Sequence, residues 1–404
     1  MATNVAVDVI VAGNVCLDLF PSVQQDSQKE WTIIPGRLLQ VGPVTTATGG
    51  AVPNTGIALH RLGISTRLIG KVGDDWFGQR VLDLLQQQSP RLVEDIIVSS
   101  EYPTSYTIVI SSPHLDRIFF HCSGVYDTFD SSDIPYASFQ GAKIFHLGYP
   151  PLIQSLYLNE GKELEKIFCE AKKQNLFTSL DMAMPDPSTP AAHTDWSVVL
   201  QHVLPYVDLF IPSLEEILFM IEPEQFQKMK ADSEYGDLLP SVDGTLIEQL
   251  SRKLLHMGAA MVAIKLGEHG LYVRTSSDPS RLSALRLFVP SVHDWTDREL
   301  LAPCYEVKVM GTTGAGDCTI AGFLAGLIHC NRLEQVLSCA TAVGACCVEQ
   351  TDATSGIPSW AEVQARIMRG WKKRGTCLHL PEWIWDEEQK VWIGPHDPLR
   401  KGKR

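Results

Sequence analysis

An acid placed directly after a glycine-rich turn offers the most chemistry in this sequence. The run Gly311-Thr312-Thr313-Gly314-Ala315-Gly316-Asp317 leads into a stretch where Ile320, Phe323, Leu324, Leu327 and Ile328 recur at helical spacing. Three small residues, Gly314, Ala315 and Gly316, would let the backbone approach a ligand closely. They would also leave the first amides of the following helix free to meet an anion, with the helix dipole adding partial positive charge. A carboxylate at 317 would repel a passively bound phosphate. It has a use if phosphate is transferred, because an attacking hydroxyl must then be positioned and its proton accepted beside the cradle. The same residues also fit a tight turn whose helix carries a capping acid in its first turn. Both readings stand on the motif alone.

Other phosphate-binding patterns do not fit. The glycine spacing is GxxGxG rather than GxGxxG and falls late in the chain, which argues against a dinucleotide-dependent oxidoreductase, and no GxxxxGK[ST] run occurs. The elements that must position the loop are legible as apolar runs alternating with amphipathic stretches. Strands are expected over residues 8–12, 143–147, 177–181, 208–212, 261–266 and 306–310, the last leading into the glycines. Helices are expected over 74–88, 161–175 and 245–257, with Gly258 at a C-cap position. That alternation predicts an α/β fold with a mostly parallel sheet. Residues 14–48 and 102–125 break the rhythm and read as strands of a smaller sheet over the strand ends, where open α/β sheets bind ligands. Beyond residue 370, Trp383, Trp385 and Trp392 alternate around a polar turn as in a hairpin, and a basic end, Leu399 to Arg404, follows.

Composition narrows the partner. The 404 residues include 34 bases and 47 acids, a formal charge of −13, which disfavours nucleic acid and anionic membrane surfaces. With 45% hydrophobic and 20% charged residues the chain reads as globular. No signal-peptide pattern opens it and no apolar window is long enough for a membrane span, so a cytoplasmic location is expected. Ten cysteines lie scattered in apolar runs without CxxC or zinc spacing, which suggests buried thiols in a reducing compartment.

The stretch Gly311 to Asp317 resembles the DTxGAGD signature of the ribokinase-like (PfkB) carbohydrate kinase family. Gly49-Gly50-Ala51-Val52-Pro53-Asn54, with Ala58, Arg61-Leu62-Gly63 and Gly70-Lys71-Val72-Gly73-Asp74-Asp75-Trp76-Phe77-Gly78, resembles its N-terminal signature, and the likeness runs from about residue 7 to about residue 365. It implies a ribokinase-like three-layer α/β sandwich with a small β-sheet lid. The implied kinase domain spans 1–370, with a C-terminal extension over 371–404. It also implies transfer of the γ-phosphate of ATP, with Mg²⁺, to a hydroxyl of a sugar or sugar-like acceptor. By position, Asp317 would be the catalytic base and the Gly314, Ala315 and Gly316 backbone the anion hole. Asp18, Gly49, Gly50, Asn54 and Arg117 would line the acceptor site, Ser213, Lys265, Gly267 and Gly270 the nucleotide, and Glu216, in Pro212-Ser213-Leu214-Glu215-Glu216, would orient the metal.

Departures from the family pattern shape the expectation. Gly311 stands in place of Asp or Asn, so a monovalent-cation requirement does not carry over. Ser213 replaces the Asn of NxxE, Lys265 the Thr of TLGxxG, Cys16 an Asn that holds the sugar, and Ala51 a lysine, which disfavours ribose. Lys265 could supply positive charge to a phosphate. A hexose, sugar acid, polyol or nucleoside could each be the acceptor, and a catalytically weak sugar-binding or regulatory protein is the alternative to an active kinase. Edge strands in the lid need covering, so a homodimer through it is expected.

Overall fold

Strict alternation of buried side chains fixes how the central strands face. In β1 (Val9–Gly13) Val9 and Val11 enter one apolar layer, and Ile10 and Ala12 enter the other. A strand buried on both faces is the mark of a parallel sheet covered by helices on each side. The chain is described here from a computed structural model covering residues 7–22, 36, 38, 40–112, 115–233 and 237–402. Its main sheet joins β1 to β4 (Thr66–Gly73), β5 (Asp95–Ser99), β8 (Ile144–Gly148), β9 (Phe177–Leu180), β10 (Leu209–Phe210) and β11 (Met261–Lys265), all parallel. Beyond β11 the direction reverses. There β12 (Leu271–Thr275), β13 (Glu299–Ala302), β15 (Val391–Ile393) and β14 (Ile384–Asp386) pair antiparallel, completing eleven strands in the order β14-β15-β13-β12-β11-β10-β9-β8-β1-β4-β5. The alternating tryptophans near the C-terminal end thus form a hairpin that is stitched onto the central sheet, with Leu301 opposite Trp392.

The helices Ala51–Arg61, Trp76–Gln88, Ala315–His329 and Leu333–Val348 cover one face, and Lys162–Lys173, Trp196–Val203, Leu214–Ile221 and Gly244–His256 cover the other. The three-layer expectation holds. The two segments that break the α/β rhythm form a second sheet in the order β3-β2-β6-β7, from β2 (Cys16–Pro21), β3 (Val44–Gly49), β6 (Tyr106–Ser112) and β7 (Leu115–Cys122). Parts of those segments, 23–35 and 113–114 among them, lie outside the described residues.

One expected strand does not form. Residues 306–310 are irregular, and the sheet position near them belongs to β13. The backbone of that segment is held from the side instead, Glu306 N–H donating to the Lys372 carbonyl and Met310 N–H to the Val348 carbonyl. Val309 and Met310 are left half exposed, and the alternating Val307 and Val309 line a cavity rather than a sheet. Among the described residues no helix is long and apolar enough to cross a membrane.

Candidate active site

The candidate residues gather where the parallel strands end. Asn14 follows β1, Tyr149 follows β8, Asp181 follows β9, Ser213 lies three residues past β10 and Lys265 closes β11. All of these are carboxyl ends, the side of an open α/β sheet where ligands bind.

Asp317 sits in the first turn of the helix Ala315–His329 and is 2% exposed. Its Oδ2 accepts a hydrogen bond from Asn54 Nδ2 at 2.9 Å, and the Tyr149 hydroxyl donates to it at 2.9 Å from Oδ1 and 3.0 Å from Oδ2. Burial pushes its carboxyl up to about 7, with the Asp181 charge adding to the rise and the Asn54, Lys265 and Tyr149 groups opposing it. A carboxylate poised near neutrality is suited to take and release a proton. Gly314, at φ 74°, turns the chain into the helix, and no side chain caps that end. A side chain at Gly314 would collide with Ala353, its Cβ falling 2.5 Å from that of Ala353. At Gly316 the backbone conformation is ordinary, and the three atoms nearest a hypothetical Cβ all belong to Lys265, with Nζ at 3.6 Å.

Gly316 therefore borders a cradle flanked by an ammonium, while Gly314 packs against Ala353 and turns the chain into it. A cavity of about 340 Å³ runs from there, lined by Lys265, Gly267, Gly270, Gly316, Val307 and Ala345 among others. Its size suits one small cofactor. The residues after β15's partner strand also reach it: Tyr305 lies in its wall, and Arg374, paired with Glu268 at 2.7 Å, lies at its rim.

Behind the cradle is a buried charge cluster. Lys265 Nζ donates to Asp181 Oδ1 at 2.6 Å, while Asp181 Oδ2 is buried with no partner among the described residues. Burial acts to lower the lysine's pKa, yet Asp181 and Glu216 raise it, so the ammonium stays charged. Glu216 closes a capping box on the helix Leu214–Ile221, accepting from Ser213 N–H at 2.7 Å. Burial lifts its carboxyl to about 7 against the pull of Lys265, with Asp181 adding to the rise. The donor chemistry fits a hard divalent cation, since two neighbouring carboxyls share one ammonium and an orphaned oxygen remains. Among the described residues no group of three or more His, Cys, Asp or Glu side chains forms a complete cage. An ion there would need phosphate oxygens or water to fill its shell.

The other candidates lie under the small sheet. Asp18 lies on β2, where the Cys16 thiol donates to its Oδ1 at 3.4 Å, and burial lifts its carboxyl to about 6. A side chain at Gly49 would occupy the space of the Asp18 carboxylate, 2.3 Å from Oδ2. One at Gly50, at φ 96°, would strike Asn14 Oδ1 at 2.0 Å. The two glycines thus give Asp18 and Asn14 their room. The Asn14 side chain is buried and reaches the Tyr126 hydroxyl. Arg117 falls on β7, and its side chain lies outside the described residues.

The sequence reading missed Tyr149, Asp181 and Asn14 as site residues. Asp181 ends a run recognised as a strand and the other two lie two residues past one, a signal that could have found them. Tyr149 adopts a left-handed φ of 63° ahead of Pro150-Pro151, a strained backbone that aims its hydroxyl at a residue 168 positions away.

The profile of the pfkB family carbohydrate kinases matches residues 8–360. An uncharacterized sugar kinase from Archaeoglobus fulgidus is 24% identical over 302 residues, which cover 75% of this chain and 98% of the relative. Among solved structures, Arabidopsis thaliana ribokinase complexed with ribose and ATP superposes with a TM-score of 0.67 at 17% identity, over 89% of this chain and 98% of that one. A Xylella fastidiosa fructokinase with bound ATP gives 0.64 at 18% identity, over 89% and 98%.

Proposed function

This chain belongs to the pfkB family of carbohydrate kinases, and from that premise we propose that Asp317 is the general base that activates a sugar hydroxyl toward the γ-phosphate of ATP. The observation that carries the reading is Asp317 itself: a buried carboxyl, titrating near neutrality, held by Asn54 and Tyr149 at the edge of an uncapped helix end. The Gly314 to Gly316 amides hold the transferring phosphate. The nucleotide lies in the adjoining cavity against Lys265, Gly267 and Gly270, with Ser213 nearby. Asp18, Gly49, Gly50 and Asn54 line the acceptor site, and Arg117, which falls on β7, joins them in binding the acceptor. The Asp18 carboxylate, which accepts, and the Asn14 amide, which can donate and accept, suit polyhydroxyl groups.

Glu216 and Asp181 would hold Mg²⁺, which neutralises charge on nucleotide phosphates when bound. The small sheet closes over the acceptor and keeps water from the γ-phosphate. Its outer strand β7 exposes Ile118, Phe119 and Phe120 by 38, 59 and 53%. A second copy of the chain is the partner that covers this apolar edge.

The test is ATP consumption against a panel of sugars, sugar acids, polyols and nucleosides, with Asp317→Asn as control. Turnover with at least one acceptor is expected, falling about 10³-fold in the variant, as for loss of a positioned base. Acceptor binding without turnover in the native protein would instead make the chain a binding or regulatory member of its family.

A further inference from the structure

Three features meet at Lys265. Its ammonium uses one N–H on Asp181 Oδ1, at 2.6 Å, which leaves two of its three donors without a protein acceptor among the described residues. It stands 3.6 Å from the point where a Gly316 side chain would begin, on the side of the charge cluster that faces the cradle. It also lines the nucleotide cavity, while its carboxylate partner is fully buried and keeps one oxygen unpartnered. A buried lysine needed only to balance Asp181 would gain nothing from pointing into an open cavity. An unpaired donor beside a glycine turn that leaves room for an anion has an external acceptor as its natural partner.

We propose that Lys265 is a catalytic residue whose ammonium binds the phosphoryl group in transit, with Asp181 as the positioning residue that aims it. The assignment rests on the kinase reading above and deepens it. In the transfer, the acceptor hydroxyl gives its proton to Asp317 as the new bond forms between that oxygen and the γ-phosphorus. The bond from the γ-phosphorus to the β,γ-bridging oxygen breaks, and its electron pair leaves with ADP. Lys265 keeps all its protons throughout. It contributes a fixed positive charge where the phosphoryl oxygens are most charged, which a nest of neutral amides supplies only in part.

The distinguishing measurement compares affinity for ADP with affinity for an imido analogue of ATP that cannot transfer its terminal phosphate, alongside steady-state kinetics. In Lys265→Met the analogue is expected to lose about tenfold or more in affinity while ADP changes less than about threefold. The value of kcat should fall about 10²-fold with the KM for sugar unchanged. Lys265→Arg should recover part of both effects. Because the Met variant strands a buried carboxylate, Lys265→Met with Asp181→Asn serves as its folded counterpart. If Asp181 acts by aiming Lys265, the double variant, assayed at saturating Mg²⁺ so that the lost carboxylate does not limit metal binding, should be no worse than Lys265→Met alone, a coupling that a merely structural aspartate would not show. Equal weakening of both nucleotides, or a kcat within about threefold of native, overturns the assignment while leaving the kinase reading intact. A native protein that neither binds ATP nor phosphorylates any acceptor overturns both.

Discussion

At the scale of single residues, the site turns on how Asp317 is held. Its carboxyl would titrate near 3.8 in the open chain and is lifted to about 7, with the Tyr149 hydroxyl among the groups that pull it back down. To act as the proposed base it must be ionised, so kcat/KM is expected to climb with pH through about 7 and level off above it. Removing a donor to the ionised form raises the pKa further. Tyr149→Phe should therefore move the acid limb of the profile to higher pH and leave the plateau within about tenfold of native. A pH–rate profile unmoved by that change would show that Tyr149 does not tune the base. Asp317 was legible because its neighbours in sequence are glycines. Tyr149 was not, because its contact spans 168 positions and depends on a left-handed turn that a bulky residue before proline seldom takes.

Two glycines of one turn separate folding from function at the scale of the element. Gly314→Ala demands a left-handed φ and drives a methyl into Ala353. It should destabilise the protein by about 1–3 kcal/mol, measurable as a lower denaturant midpoint. Gly316→Ala meets only ordinary contact with Lys265. It should leave the midpoint unchanged while lowering affinity for ATP about tenfold or more, because the methyl stands where the phosphate belongs. Equal loss of stability in both would mean that the cradle is a turn and nothing more. The helix after this turn was readable from its apolar spacing, whereas the strand expected before it was not real. Its alternation, Val307 and Val309 against Glu306 and Lys308, is the same whether a segment pairs in a sheet or, as here, runs along a cavity wall with one side wet. Period alone does not distinguish the two.

For the molecule as a whole, two sequence regions without the α/β rhythm proved to be sheet-forming parts of the fold. The small sheet was foreseen from that break in pattern. The way the C-terminal hairpin enters the main sheet was not legible, since strand pairing between β13 and β15 leaves no local trace. It is fastened by charge as well: Arg298, 3% exposed, reaches Asp397 at 2.8 Å and Glu334 at 2.6 Å. If β7 joins two copies, sedimentation at micromolar concentration should show a dimer, and Phe119→Lys should yield a monomer that still folds. A native monomer at that concentration would dispose of the interface. The hydrogen bond from Asn54 to Asp317 joins residues 263 positions apart, and this carries a temporal corollary. Neither signature motif can work until the distant halves of the polypeptide have found each other, so during renaturation turnover should return only after helical signal has recovered, with catalysis reporting completion of the whole assembly rather than of any part.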